Sequence, residues 1–482
     1  MATVMSLLSN RRTFSWKYIM FGVLILSLSV IQGAFTQGTD MLWGVRNGGD
    51  IVQSGQVQVF IKDVWNLQTL GELWSPNSWL WNVVLYGSYN LLGTASFFWV
   101  IVLTNIVVYT SIVLFLRKIN IPTIWQFVIL GAVWAVLHVY LNGRSNTADI
   151  VLLLLFLLTS LYLKDINRFA YKLSSFVLAG FSVSILWINM HLTGVLAIAL
   201  LPFVTYVAIK DVPAVRRWVS VIAVGAACTI GVVCSPFGIT ALLKVSLVQN
   251  ESENFIEEWS GIFFNGTLNL SVALAIAAAV VVGFFAVRTK QFVYALTVVA
   301  FVVLSVTTIR MSIYLVVILL AGLVFVPQWW TDKWKALSAA VAGTVITAFL
   351  FASVLTYRVS TDVESILPVR PSSLDNIPQD ARVLSTIEAG STLILYRPDV
   401  LVALDGRNDL IGKERVQTTY DLMYEPDVEV LQGWLEENAI DTVFVPVNDT
   451  DDFSVVVNNM RTLGWQEYEE KNSITFTSKE KR

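Results

Sequence analysis

QFVYALTVVAFVVLSVTTIRMSIYLVVILLAGLVFV, residues Gln291 to Val326, is an apolar run with a single charge in it, Arg310. A helix needs about 20 apolar residues to cross a bilayer. The run is therefore too long for one crossing and reads as two, meeting in a tight hairpin at Arg310. A chain that doubles back in this way is polytopic.

The same criterion, applied outward, finds about eleven apolar segments. They lie near 18–36, 94–116, 122–141, 148–163, 173–188, 192–209, 218–235, 268–287, 291–309, 311–326 and 336–357. Residues 358–482 have an ordinary globular composition. The chain is 55% hydrophobic and 14% charged, against about 25% charged in a soluble domain. Asn10-Arg11-Arg12-Thr13-Phe14 reads as the basic flank of an uncleaved first span, not an export signal, because many spans follow. The net charge of −3 is spread without a basic domain, so no nucleic-acid partner is expected. Cys228 and Cys234 share one apolar run and form neither a disulfide framework nor a metal motif.

With the N-terminus placed inside, the inside connections carry fifteen Lys and Arg and the outside connections, up to Lys335, carry five. Every inside connection is basic, as the positive-inside rule requires. The expected fold is a polytopic α-helical membrane protein in the cell membrane, residues 1–357, with a C-terminal extracytoplasmic α/β domain, residues 358–482. The two long connections, 37–93 and 236–267, both fall outside.

Ionisable residues near spans are costly and therefore informative. Asp40 follows the first span. His138 and Arg144 flank the outer end of the third. Asn189 and His191 share the short turn Trp187-Ile188-Asn189-Met190-His191, and Arg310 sits in its hairpin. Each is either an interfacial side chain reaching water or part of a site. Arg310 suits a phosphate or carboxylate through paired hydrogen bonds. His191 either donates to an anionic leaving group or satisfies a turn carbonyl. The first outer loop adds Asp50 and Asp63 among Trp and Gly, as substrate-binding groups or turn caps. Residues 79–92 suit an amphipathic helix lying on the membrane. A carboxylate held at that surface near arginines suits general-base work on a hydroxyl. The second outer loop carries Glu257 and Glu258, either a solvated helix face or groups that hold sugar hydroxyls.

Taken together these residues resemble the GT-C superfamily of membrane glycosyltransferases, and in particular a poorly characterised bacterial branch. The features are an early Asp and a Gly-rich turn in the first outer loop, the Trp187–His191 turn, the Ser235-Pro236-Phe237-Gly238 stop and Asp405-Gly406-Arg407 in the tail. Ser235 departs from the Asn of the branch, and Gly143-Arg144-Ser145 only loosely follows its Arg-Pro-Gln turn. The resemblance implies a polyprenyl-phosphate-linked sugar donor used on the extracytoplasmic face. It also implies an aspartate of the first outer loop as catalytic base, and Asp40 is the position in register. The acceptor would be a glycan, lipid or protein. Membrane lipids are the surrounding partner. No cofactor is implied, and metal dependence varies across the superfamily.

In the tail, strands are expected at 382–384, 393–396, 401–404, 442–447 and 474–477, and helices near 413–424, 427–438 and 452–463. Alternation of this kind argues for an α/β layer. Asp405-Gly406-Arg407-Asn408-Asp409 is either a tight turn or a polar rim over the acceptor. Three functions stay in view: an inverting glycosyltransferase, a non-catalytic scaffold or lipid-glycan binder of the envelope, and a transporter. The absence of internal repeats and the gathering of ionisable residues at one face disfavour the last.

Overall fold

The computed structural model describes residues 16–35, 39–57, 61–164, 168–240, 261–264, 267–327, 367, 369–424, 427–446, 453–470 and 473–478. Five of its helices are long and apolar enough to cross a membrane: Ala95–Lys118 (α4), Asn146–Leu163 (α6), Phe169–Met190 (α7), Ala214–Val233 (α9) and Leu270–Arg288 (α10). Shorter apolar helices accompany them, among them Trp16–Phe35 (α1), Thr123–Leu137 (α5), Ala197–Ala208 (α8), Phe292–Thr307 (α11) and Ser312–Gly322 (α12). The expected segment 336–357 lies outside the described residues. Between α11 and α12 the backbone is extended at Thr308 and makes one 3-10 turn over Ile309–Met311. The hairpin thus breaks at the charge read from the sequence.

One continuous apolar core holds the bundle, from Phe21 and Leu28 on α1 through Leu153 and Leu157 on α6 to Leu315 and Ile318 on α12. Many aliphatic side chains on the perimeter are exposed, including Leu103, Ile222, Val280 and Leu296. An apolar outer surface over an apolar core is what a bilayer solvent selects.

The first long connection is not the glycine turn that Asn47-Gly48-Gly49-Asp50 suggests. Residues Asp40–Ser54 form a helix (α2) packed on a second one, Trp79–Leu92 (α3). Glycine inside a helix costs about 1 kcal/mol relative to alanine, and here close packing explains it. A Cβ at Gly48 would collide with the carbonyl of Asn82, and one at Gly49 would lie 2.9 Å from the Tyr86 ring. Asn82 Nδ2 donates to Asn47 Oδ1 (2.9 Å) across the contact.

Five C-terminal strands form one sheet: Arg382–Leu384 (β1), Leu401–Val402 (β2), Thr442–Pro446 (β3), Gln466–Glu470 (β4) and Ser473–Thr477 (β5), in the order β2-β1-β3-β5-β4. Strand β1 pairs in parallel with β2 and with β3. Strand β5 pairs antiparallel with β3 and with β4, a strand not expected from the sequence. Helices Lys413–Tyr424, Val428–Glu437 and Ser454–Thr462 fall where expected. The segment 393–396 does not: it ends a helix, Ile387–Tyr396 (α13). Thr386 starts that helix, its hydroxyl accepting from the Ala389 N–H (3.2 Å). Ala389, Leu393 and Ile394 then face inward together, and the cap with its helical spacing outweighs the β-forming character of Leu-Ile-Leu-Tyr.

Helix α13 packs on α2, and a buried ion-pair network ties the sheet to the first connection. Arg407 donates from Nη1 to Asp63 Oδ1 (2.7 Å) and from Nη2 to Asp405 Oδ2 (2.8 Å), with no side-chain exposure on Arg407, Asp63 or Asp405. Its guanidinium lies 4.6 Å from the Trp65 ring centroid and 5.0 Å from that of Trp74. Burial pulls the Arg407 pKa down, but the Asp405 and Asp63 charges outweigh it and hold the pKa above its ordinary value. Asn66 Nδ2 reaches Asp405 Oδ2 (3.1 Å), and the backbone bridges from Asn66 to Val402 at the β2 edge. Asp63 is therefore a structural group, not the substrate ligand expected: Arg407, Thr69 and the Trp65 N–H use up its carboxylate.

Removing one partner of a buried ion pair typically costs about 3–5 kcal/mol, because the other charge is left uncompensated. Arg407→Ala leaves two buried carboxylates, so a loss of that order is expected, read as a lowered melting temperature of the purified protein in detergent. An unchanged melting temperature contradicts the assignment.

Candidate active site

Helix α6 begins at the same end of the bundle as α2 and the C-terminal sheet, and its first turn carries Asp149. The carboxylate is fully buried. It accepts from four donors: Trp187 Nε1 (2.7 Å), His191 Nδ1 (2.8 Å), Thr193 Oγ1 (2.7 Å) and Tyr314 OH (2.9 Å). A carboxylate offers about four acceptor sites, and the positive end of the α6 dipole favours its charge further. Asp149 thus joins α6, the turn after α7 and α12 at one point.

That point orients the groups around it. With Nδ1 of His191 on Asp149, its Nε2 faces outward to Arg310 Nη2 at 3.4 Å. Arg310 is held in the 3-10 turn that precedes α12, the helix bearing Tyr314. Asn189 lies in the last turn of α7, two residues before His191. Its Oδ1 accepts from Trp79 Nε1 (2.9 Å) and its Nδ2 donates to Ile185 O (2.6 Å), which fastens α3 to α7.

The second group begins at Asp40, the first residue of α2. Arg144 approaches it, Nε to Oδ2 at 3.2 Å, with about a third of the Asp40 side chain exposed. Arg144 stands just ahead of α6, whose first turn holds Asp149. Preceding it, Gly143 has φ +82° and stands against Met41, where a side chain would not fit. Trp81 Nε1 donates to the Gly143 carbonyl (2.9 Å). The start of α6 therefore carries both Arg144, turned to Asp40, and Asp149, turned to His191.

The C-terminal sheet completes this end. Gly406 stands directly over Asp40: a Cβ built on it would lie 3.2 Å from both Asp40 Oδ1 and Trp43 Nε1. The buried Trp43 N–H has no hydrogen-bond partner among the described residues. Asp409 accepts from Trp74 Nε1 (3.3 Å) and Asn77 Nδ2 (3.1 Å). Asn77 O in turn accepts from the Leu192 N–H (2.8 Å), beside His191. Asp405-Gly406-Arg407 is thus a turn locked from below by Asp63 and pressed on Asp40 by its glycine.

Of the residues expected at a site, Asp40, Arg144, Asn189, His191 and Arg310 meet at this end. Asp50 does not join Asp40. It lies at the other end of α2, about 15 Å along the axis at the helical rise, paired with Arg46 at 3.4 Å. Burial raises its pKa against the lowering effect of Arg46. Glu257 and Glu258 lie outside the described residues. His138 packs on Trp134, ring centroids 4.9 Å apart, with Nδ1 near Ala135 O. Asp149, Thr193, Tyr314 and Trp43 were not foreseen. Asp149 alone gave a signal, as a carboxylate at the edge of an apolar run. Among the described residues no three His, Cys, Asp or Glu side chains group as metal ligands.

No protein-family model matches the chain, and no curated protein matches it. Solved structures do. The oligosaccharyltransferase of Archaeoglobus fulgidus, tethered to an acceptor peptide with an NVT sequon, aligns at TM-score 0.57 and 10% identity over 97% of this chain and 74% of its own. The archaeal oligosaccharyltransferase AglB from the same organism, in complex with an inhibitory peptide and a dolichol-phosphate, aligns at 0.55 and 9% identity, over 97% and 75%. ArnT of Cupriavidus metallidurans, bound to undecaprenyl phosphate, aligns at 0.52 and 13% identity, over 96% and 97%. These proteins are GT-C superfamily glycosyltransferases, and the chain has their fold.

The Asp149 hub fixes a tautomer. His191 is expected to carry its proton on Nδ1 and present a bare Nε2 toward Arg310. With only two histidines in the chain, ring 15N spectra can separate the two residues. Asp149→Asn should shift the His191 signals and leave those of His138 in place. Identical His191 signals in both proteins contradict the hub.

Proposed function

We propose that the chain is an inverting glycosyltransferase of the GT-C type, taking its sugar from a polyprenyl-phosphate donor on the extracytoplasmic face. The bias of fifteen basic residues against five supports the orientation, with a cytoplasmic N-terminus and the C-terminal sheet outside. The dolichol-phosphate and undecaprenyl phosphate bound by the fold's relatives support the donor class. The acceptor is an envelope glycan, lipid or protein, and the Trp187–His191 turn favours the bacterial branch of the superfamily.

One observation carries the reading: a base candidate and an anion-binding candidate arise from the two sides of a single helix start. Asp40 pairs with Arg144, which holds the carboxylate in place. An acceptor hydroxyl gives its proton to Asp40 as its oxygen bonds to the anomeric carbon. The bond from that carbon to the phosphate oxygen breaks on the opposite face, and polyprenyl phosphate leaves with the electron pair. Arg310, backed by His191 and Asp149, receives the growing phosphate charge. The Trp43 N–H beside Asp40 is a donor for a sugar or acceptor hydroxyl.

Asp40→Asn keeps the shape and removes the base. General-base catalysis contributes about a hundred- to ten-thousand-fold, so transfer should fall by that factor with folded protein at its normal level. A deletion strain should lose one sugar or linkage from its envelope glycans, restored by the wild type and not by Asp40→Asn. Full restoration by the variant contradicts catalysis and favours the alternative of a non-catalytic scaffold or lipid-glycan binder.

A further inference from the structure

At the opposite end of the bundle three lysines converge on a cleft of about 270 Å³. Lys118 ends α4, Lys164 follows α6 and Lys210 follows α8. Lys164 lies about 22 Å along α6 from Asp149 at the helical rise, so the cleft shares nothing with the site around Asp40. Among the described residues Asp211 is the one acid in its lining, and the rest is mainly apolar, including Ile121, Leu161 and Val207.

The lysines are half-buried rather than spread into solvent. Lys118 lies 4.5 Å over the Tyr162 ring. Lys210 Nζ donates to Val324 O (2.8 Å) and lies 5.3 Å from the Phe325 ring centroid. Burial lowers the pKa of Lys210; Asp211 opposes that and the charge of Lys164 adds to it. Gathering like charges in a partly desolvated cleft is unfavourable unless an anion shares it. A phosphate accepts from several ammonium groups at once, and lysine binds it as a point charge. Ligand pockets run from about 300 to 1,000 Å³, so this volume suits a headgroup rather than a whole lipid. The apolar wall suits the first methylenes of a chain.

We propose that this cleft binds a phosphate group, carried by a membrane-lipid headgroup or by a soluble phosphate. Basic pockets between spans commonly hold anionic headgroups. The proposal is independent of the transferase reading and uses none of its residues.

The test uses the full chain in nanodiscs of neutral phosphatidylcholine. One arm adds phosphatidylglycerol and counts retained lipid by native mass spectrometry. The other adds inorganic phosphate and follows the melting temperature. Wild type should retain one anionic lipid in preference to neutral lipid, or be stabilised by phosphate. The pair Lys118→Gln and Lys164→Gln should weaken that binding about ten- to a hundred-fold, the scale of losing charge-assisted hydrogen bonds. Arg288→Gln, which removes a charge outside the cleft, should bind as wild type. A response in the lipid arm alone names a headgroup, and a response in both names phosphate itself. Should the double variant not fold, the single Lys164→Gln reads the same loss, since its Nζ holds no hydrogen bond or ion pair among the described residues. No binding of either probe, or equal binding by wild type and variants, overturns the proposal.

Discussion

The Asp149 carboxylate is the charge around which this end of the molecule is arranged. An unpaired buried carboxylate would cost several kcal/mol. Asp149 is tolerated because four donors, from α7, from the turn after it and from α12, meet it. Each donor is fixed in return. Trp187 and Tyr314 are locked in the core, Thr193 is held in a 3-10 turn over Leu192–Leu196, and His191 turns its other nitrogen to Arg310. This buried charge also determines where His191 points and sets its Nε2 against Arg310. Arg144, a little over one helical turn away at the head of the same helix, carries this order across to Asp40.

A second buried charge cluster acts from the other side. Arg407 joins the C-terminal sheet to the first connection through Asp63 and Asp405, and the turn it locks sets Gly406 against Asp40. The sheet is therefore a wall of the candidate site, not a separate appendage. A side chain at position 406 would press on the Asp40 carboxylate, which explains the glycine between Asp405 and Arg407. The two clusters divide the labour: the bundle positions Arg144 and Arg310, and the sheet and first connection fix Asp40.

The apolar segments were legible because period and length are local properties. Helix boundaries at 79–92, 95–118 and 292–307 follow the sequence reading within a few residues. Asp40, Arg144, His191 and Arg310 were legible as candidates because each is polar beside an apolar run. Their grouping into two linked clusters was not. Asp149 stands 42 residues from His191 and 165 from Tyr314, and Asp63 stands 344 from Arg407. Such pairings depend on packing that no local pattern carries. Asp63 and Asp50 looked like site residues for the same reason that Asp40 did, and only burial and helix length separate the three. The glycines of α2 misled because glycine weakens an isolated helix, whereas here it lets α3 approach. At 393–396 a β-forming run lies inside a helix that Thr386 caps.

A structure of the protein in nanodiscs with polyprenyl phosphate would decide the matter. The phosphate should lie within hydrogen-bonding reach of Arg310, with Asp40 facing the open space where the sugar would sit. A phosphate bound only in the Lys118, Lys164 and Lys210 cleft, or one with Arg310 turned away from it, would contradict the assignment of this end as a transferase site.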